Sequence, residues 1–181
     1  MTQSSDPTPA TSRNDGHAHS FRPIVVIGEA VADAFVATAP AGRTPPAGPD
    51  PPSGRALQLQ ICPGGSPANT AVALGRLGSP TRYLGRLSRG VLGESLLAHI
   101  AGAGVDVSGC VRTDAPASLA IAAVDPTGRA AYDFYVQGTA DWGWTPAELA
   151  ERRPIHASCV HAGSLALVLS PGGPLIEDLL G

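Results

Sequence analysis

Two adjacent glycines at the start of a helix constrain the fold of this chain more than any other feature. The run Gly64-Gly65-Ser66-Pro67-Ala68-Asn69 ends an extended segment and opens a helix that the sequence predicts as far as about Leu77. The glycines let the backbone approach a ligand closely, Ser66 is placed to cap free amides, and Pro67 suits a first helical position. Small residues recur on one helical face at Ala68, Ala71, Val72 and Gly75, which predicts close packing on a sheet.

A second constraint is the run Ile24-Val25-Val26-Ile27, which ends at Gly28. A continuous β-branched run of this kind is typical of a strand buried on both faces of a parallel sheet. Ligands bind beyond the carboxyl ends of such strands, where Glu29 and Asp33 follow. One glycine and two acids replace the three glycines of a dinucleotide fingerprint and would repel a pyrophosphate. The sequence therefore predicts an α/β fold without a nicotinamide site.

In order, these pieces resemble the ribokinase-like sugar kinases known as the PfkB carbohydrate kinases. The resemblance rests on Gly64 to Ala71 followed, after six intervening residues, by Gly78, on the first strand, and on the runs Ala103-Gly104-Val105-Asp106 and Gly138-Thr139-Ala140-Asp141-Trp142. It covers about residues 24–180. It implies a ribokinase-like parallel-sheet sandwich, present as its N-terminal half, with a small β lid. The chain departs from the family at Ser88, which stands where the signature ends in glycine.

The resemblance also implies a sugar site made by Asp33, Gly64, Gly65 and Asn69. In the family, the aspartate at the position of Asp33 hydrogen-bonds sugar hydroxyls, and a carboxylate suits this because its two oxygens accept from neighbouring hydroxyls. The alternative is that Asp33 is a surface carboxylate in a loop. The amide of Asn69 both donates and accepts, which suits a polyhydroxylated ligand better than a bare phosphate.

Two further segments are predicted to build the lid. The first covers about residues 33–61, where two short strands flank a proline-rich exposed loop at 39–54, and the second is a hairpin at about 118–137 with a turn at Asp125-Pro126-Thr127-Gly128. In the family the lid covers the sugar, and in several members it forms a dimer contact. Phe134 and Tyr135 are expected to fill a hydrophobic core, with cover of a sugar ring as the alternative. Gln137 lies near an arginine that relatives use for acidic sugars, so a neutral sugar is favoured.

The remaining elements follow ordinary local patterns. The sequence predicts a strand at Thr81–Leu84, a helix at 92–103, a capping box at Thr145-Pro146-Ala147-Glu148, a central strand at Cys159–Gly163 and a helix at 174–180. His161 is expected to be buried and satisfied by backbone, with ligand binding as the alternative. Residues 1–22 are rich in Ser, Thr, Pro and Asp and are predicted to be a disordered tail before the domain at 23–181.

Charge and cysteine content exclude several classes of function. A net charge of −3 indicates neither a nucleic-acid partner nor an acidic membrane surface. Lysine is absent from the sequence, which excludes a Walker-type phosphate loop. The three cysteines are widely spaced and contain no Cys-x-x-Cys pair, so we expect neither disulfides nor a metal site, and a reduced cytoplasm fits best. The N-terminal residues have no apolar run and indicate neither a signal peptide nor a membrane anchor.

Phosphoryl transfer to a sugar needs a base, donors for the phosphoryl oxygens and a nucleotide site. The resemblance implies ATP and Mg²⁺, and relatives supply these sites from a C-terminal Gly-Ala-Gly-Asp run that these 181 residues lack. The sequence therefore predicts the sugar-binding half of an ATP-dependent kinase for a neutral sugar, fructokinase- or ribokinase-like. Without the catalytic base, that half is expected to be inactive alone. The alternative is a non-catalytic sugar- or nucleoside-binding module that associates through its lid.

Overall fold

The computed structural model describes residues 22–36, 58–124 and 129–181. The predictions for the N-terminal tail, the proline-rich loop and the 125–128 turn lie outside the described residues. The strands are β1 (Ile24–Gly28), β2 (Val31–Val36), β3 (Leu59–Gly64), β4 (Thr81–Leu84), β5 (Arg86–Ser88), β6 (Val111–Thr113), β7 (Leu119–Val124), β8 (Ala130–Tyr135) and β9 (Cys159–Gly163). The α-helices are α1 (Ser66–Arg76), α2 (Val91–Ala101), α3 (Pro146–Glu151) and α4 (Gly172–Leu180).

The first sheet has the order β4-β1-β9, and we call it the body sheet. Both of its strand pairs are parallel, with Ile24 opposite Thr81 on one side and Cys159 on the other. The predicted buried parallel strand is therefore confirmed as β1. The predicted central strand Cys159–Gly163 forms, but within the described part of the chain it lies at the sheet edge. The prediction of a buried His161 is wrong, because its side chain on this edge strand is exposed.

Two hydrophobic clusters cover the two faces of the body sheet. On one side, α1 and α2 pack on Val26 and Tyr83, and we call this cluster the helix core. On the other side lies the tryptophan core, whose buried members include Val25, Ile27, Trp142, Trp144, Leu149 and Ile176. Successive residues of β1 point to opposite faces, so one β-branched strand serves both clusters.

Helix α1 begins where predicted, but its N-terminus is built differently. The N-cap residue is Gly65, and no side chain caps the helix, so the expectation that Ser66 caps free amides is wrong. Gly65 has φ +93, a conformation that favours glycine. The helix still buries the predicted small face, including Ala68, Ala71 and Val72.

The second sheet has the order β3-β2-β7-β8, and we call it the outer sheet. β2 pairs antiparallel with β3 and parallel with β7, and β7 forms the predicted hairpin with β8. The registers set Asp33 opposite Cys62 and Ala120, and Ala120 opposite Phe134, so these residues share one face. We call it the Asp33 face. Ala32, Pro63 and Leu119 belong to the opposite face, where α2 lies.

The aromatic residues of β8 contradict the expectation that they fill a core. Phe134 is 58% exposed and Tyr135 is 56% exposed, on opposite faces of the outer sheet. Among the described residues, β8 is the last strand of that sheet, and its side chains are exposed on both faces. The Tyr132 and Phe134 rings stack, with centroids 5.9 Å apart and an interplanar angle of 18°.

Local capping rules hold best in the helix that follows the hairpin. Thr145 and Glu148 form the predicted capping box, with both reciprocal hydrogen bonds present, and α3 begins at Pro146. α2 ends two residues earlier than predicted.

None of the helices in the described ranges has the length and apolarity needed to cross a membrane.

Candidate functional site

The antiparallel pair of β2 and β3 places the Asp33 carboxylate directly over Gly64. A Cβ built on Gly64 would overlap Oδ2 and Cγ of Asp33. Only glycine therefore leaves room for this carboxylate at its present position. The register explains the contact, because Gly64 pairs with Val31, two residues from Asp33 on the same face. The structure thus brings together two of the four residues predicted for the site.

Gly65 makes a second close approach, to the turn between β1 and β2. A Cβ at this position would lie 2.7 Å from the Glu29 carbonyl oxygen and 3.0 Å from the backbone of Ala30. Its positive φ would strain any other residue as well. The two glycines therefore have different roles. Gly64 leaves space for the Asp33 side chain, and Gly65 allows the start of α1 to approach the backbone at Glu29 and Ala30.

Asp33 and Asn69 both present polar side-chain groups that have no hydrogen-bonding partner among the described residues. The half-buried Asp33 carboxylate accepts no hydrogen bond from the residues that the structure describes, and burial raises its pKa above the ordinary value. Asn69 lies in the first turn of α1, where its N–H donates to the Gly65 carbonyl at 2.9 Å and its side chain is exposed. A ligand rich in hydroxyl groups would satisfy both side chains.

A different acid at this edge, Glu29, points into the body. It is 1% exposed, and its carboxylate accepts hydrogen bonds from Ser164 N at 3.0 Å, Ser164 Oγ at 2.7 Å and Ala166 N at 3.1 Å. The Tyr83 hydroxyl donates to the Gly28 carbonyl at 2.8 Å. These contacts fix the end of β1. Glu29 is therefore not available to a ligand, and of the two acids that follow β1 only Asp33 remains a candidate for ligand binding.

Sequence reasoning missed the importance of Asp141. This residue is 3% exposed, and Ala30 N donates to its Oδ1 at 2.9 Å. Its Oδ2 lies 2.6 Å from Ser118 Oγ. Burial raises the pKa of Asp141 to about 6. The sequence offered one signal, an acid directly before Trp142 in an apolar segment. That pattern does not identify Ala30, which lies 111 residues away, as its partner.

Two cavities lie near the base of the outer sheet. One, of about 400 Å³, is lined by residues that include Arg86, Thr139 and Trp142. The other, of about 470 Å³, lies beside Leu92 and Leu119. Neither lining includes Asp33 or Asn69, so these two cavities do not contain the predicted site residues.

The described residues contain no ready-made metal cluster. Among them, no group of three or more His, Cys, Asp or Glu side chains could hold a metal ion. The sequence contributes no lysine for a nucleotide phosphate. The Asp33 face of the outer sheet carries an accepting carboxylate and the stacked rings of Tyr132 and Phe134.

Comparison with known sequences identifies relatives over most of this chain. Residues 22–173 match the model of the pfkB family carbohydrate kinases. The fructokinase of Rhizobium leguminosarum bv. trifolii is 38% identical over 117 residues, which cover 65% of this chain and 35% of that protein. Fructokinase-1 of Oryza sativa subsp. japonica is 36% identical over 110 residues, covering 60% and 34%. The chain thus spans about a third of the length of these curated relatives.

Solved structures share the fold. A fructokinase from Xylella fastidiosa with bound ATP matches with a TM-score of 0.73 and 28% identity, over 87% of this chain and 46% of that one. A fructokinase from Vibrio cholerae O395 in apo form matches with a TM-score of 0.66 and 22% identity, over 89% and 49%. The second likeness concerns the fold alone. The body sheet and outer sheet are therefore the ribokinase-like arrangement expected from the sequence.

Proposed function

This chain belongs to the pfkB family of carbohydrate kinases, and on that premise we propose that it is the sugar-binding part of an ATP-dependent kinase for a neutral sugar. The reaction would transfer a phosphoryl group to a sugar hydroxyl, as in a fructokinase or a ribokinase. One observation carries the proposal: the Asp33 carboxylate sits over Gly64 without a hydrogen-bonding partner in the described chain. A free, half-buried acceptor of this kind suits a pair of hydroxyl groups.

Each site residue has a distinct role in this proposal. Asp33 accepts hydrogen bonds from two neighbouring hydroxyls, and Asn69 exchanges hydrogen bonds with others. Gly64 and Gly65 let the sugar approach the backbone at the start of α1. Phe134 covers the apolar side of the sugar ring, because the sheet register sets it on the Asp33 face, whereas Tyr135 points to the opposite face.

The phosphoryl donor would be ATP with Mg²⁺, bound by residues outside this chain. The 181 residues lack the Gly-Ala-Gly-Asp run that supplies the base in the resembling family. Among the described residues, no group of three or more His, Cys, Asp or Glu side chains could hold a metal ion. We therefore assign sugar binding to this chain and the transfer step to a further segment, and we expect the 181 residues alone to be inactive.

The outer sheet would also serve as a lid and as a contact between two copies of the chain. Leu59, Ile61 and Tyr135 are between 41% and 56% exposed on the face opposite Asp33. Burying such apolar side chains against a second copy would remove them from water. The same exposure favours a second candidate, a non-catalytic sugar- or nucleoside-binding module that associates through this sheet. All three cysteines are free, which supports a cytoplasmic location.

Calorimetric titration with fructose and ribose tests the binding role. We expect binding of a neutral sugar to the wild-type chain and at least a tenfold loss in Asp33→Asn, since a charge-assisted hydrogen bond contributes about 1.5–3 kcal/mol. Asp133→Asn is the matched control, because Asp133 lies on the opposite face of the outer sheet and is exposed. Equal loss in both variants, or no binding in any, would refute the proposal. Sugar binding without ATP turnover in the intact natural protein would favour the binding module.

A further inference from the structure

Four oxygen atoms form a buried chain at the base of the outer sheet. Asp141 Oδ2 lies 2.6 Å from Ser118 Oγ, and Ser118 Oγ lies 2.7 Å from Thr139 Oγ1. Thr139 Oγ1 in turn lies 2.9 Å from the Val136 carbonyl oxygen. All three separations are hydrogen-bond distances, and Asp141, Ser118 and Thr139 are buried.

Three such contacts need three protons, and the two hydroxyl groups supply only two. The proton of Thr139 is used on the Val136 carbonyl, which has none to give. The single proton of Ser118 then serves either Thr139 or Asp141, but not both. The remaining contact would bring two lone pairs together in a buried site unless the carboxyl group brings a proton of its own.

We propose that the arrangement seen here is the one with Asp141 as a neutral carboxylic acid, which donates its proton to Ser118 Oγ and thereby positions the strands that carry the sugar site, and that this proton is lost as the pH rises toward neutral. With that proton the order is complete: Asp141 donates to Ser118, Ser118 to Thr139, and Thr139 to Val136. The other carboxyl oxygen, Oδ1, accepts from Ala30 N at 2.9 Å. Every polar atom of this network is then satisfied, as buried groups require.

The network lies where the outer sheet leaves the body. Ala30 directly precedes β2, which carries Asp33, and Ser118 directly precedes β7. Thr139 and Val136 follow β8, and Ala32 N donates to the Ser118 carbonyl at 2.9 Å. One carboxyl group therefore joins the bases of three strands. When Asp141 loses its proton, Ser118 can donate to Asp141 or to Thr139, but not to both, so one hydrogen bond between the strand bases is lost. The orientation of Asp33 therefore becomes pH-dependent.

The surrounding charged and titratable groups do not replace the missing proton. Tyr83 on β4 uses its hydroxyl on the Gly28 carbonyl, and Glu29 accepts from donors that carry their own protons. Arg86 on β5 donates to the Ala140 carbonyl and pairs with Glu148 on α3 at 3.2 Å. Among the described residues no cation pairs with Asp141. Burial accordingly raises the pKa of Asp141 to about 6, despite its hydrogen bonds.

The substitution Asp141→Asn distinguishes a neutral acid from a carboxylate. The amide imitates the protonated group, because Nδ2 donates to Ser118 while Oδ1 accepts from Ala30. In the wild type, a pKa of about 6 in the folded state against 3.8 in the unfolded state means that stability falls as pH rises from about 4 to 6 and then levels. We expect the melting midpoint of Asp141→Asn to equal that of the wild type near pH 4 and to exceed it by about 6–12 °C at pH 7.5.

Three controls make this outcome decisive. Asp141→Ala should melt below the wild type at every pH, since it orphans Ala30 N and Ser118 Oγ. Glu29→Gln leaves the oxygen chain intact. The change in melting midpoint between pH 4 and pH 7.5 should therefore be the same in this variant as in the wild type. The ¹³C signal of the Asp141 carboxyl group, followed by NMR in the wild-type chain, should titrate near pH 6. A carboxyl midpoint below 4.5, or an Asp141→Asn variant less stable than the wild type at pH 7.5, overturns the proposal.

The consequence for sugar binding rests on the function proposed above. We expect Asp141→Asn to bind fructose or ribose more tightly than the wild type at pH 7.5, with the ratio of affinities approaching one near pH 4. If neither variant binds any sugar, the function fails, while the melting and NMR results still decide where the proton lies. A ratio that is independent of pH, in proteins that do bind, would show that the network does not position Asp33.

Discussion

The body sheet and the outer sheet contain strands of similar length and differ in what covers them. Four of the five residues of β1 in the body sheet are buried, between the helix core and the tryptophan core. In the outer sheet, Tyr132, Phe134 and Tyr135 are each more than half exposed. The body sheet is therefore a packed core, while the outer sheet leaves large aromatic side chains exposed. Substitutions in the two sheets test this division between a packed part and an exposed part of the molecule.

Shortening a buried side chain of the body sheet should destabilise the protein strongly. Ile27→Ala removes a side chain that is 1% exposed, and we expect a loss of about 2–5 kcal/mol in the free energy of unfolding, measured by urea denaturation. Phe134→Ala is the counterpart in the outer sheet and should cost less than about 1 kcal/mol, because its ring is mostly in solvent. Similar losses in both variants would contradict the division.

Gly64 lies where the outer sheet meets the body, so its substitution should affect the site more than the fold. In Gly64→Ala the new Cβ would displace the Asp33 carboxylate. We expect at least a tenfold loss of sugar affinity by calorimetry, a change of about 1.4 kcal/mol in binding free energy. Gly90→Ala is the control, since a Cβ there would meet only Ser88 Oγ at 3.3 Å. Unchanged affinity in Gly64→Ala would place the sugar elsewhere.

Sugar affinity should depend on pH in the acid range, because Asp33 titrates there. Burial raises the pKa of Asp33 above 3.8, and the carboxylate form is the one that accepts two hydroxyl protons. Sugar affinity should therefore fall as pH decreases through this raised pKa. Titrations in the Asp141→Asn background isolate the effect, because that variant does not titrate at position 141. An affinity that stays constant down to pH 4 would remove Asp33 from the site.

The smallest effect is expected from the aromatic stack. Phe134→Leu keeps an apolar side chain on the Asp33 face and removes the ring that stacks on Tyr132. We expect a two- to fivefold loss of sugar affinity, consistent with about 0.5–1 kcal/mol for an aromatic contact. Tyr135→Leu, on the opposite face, should bind as the wild type does. If Tyr135→Leu has the larger effect instead, the sugar contacts the other face.

Local patterns predicted most of the elements. The β-branched run became β1, the capping box opened α3, and the hairpin formed from two alternating segments. Ser66 did not become a cap, because the chain leaves β3 through Gly65 with φ +93 and the helix starts one residue earlier than a serine cap requires. The burial of Phe134 and His161 was predicted wrongly, since burial depends on what packs against a strand and not on the pattern within it.

The candidate site was predictable in its composition and not in its contacts. Asp33, Gly64, Gly65 and Asn69 follow from the motif and the family resemblance, and their role as a sugar site remains a prediction. The contact between Asp33 and Gly64 depends on the register of β2 and β3, which lie more than twenty residues apart. Glu29 and Asp141 are paired with residues 135 and 111 positions away, and no local pattern identifies such partners.

Trp142 and Trp144 are the two tryptophans of the chain, and both are buried in the tryptophan core. Intrinsic fluorescence excited at the indole band therefore reports solvent entry into that one cluster. An outer sheet that swings or melts while the body stays intact would leave the emission spectrum almost unchanged. Amide hydrogen exchange along β7 and β8 would detect that movement, so optical unfolding curves alone would overstate how cooperatively this molecule comes apart.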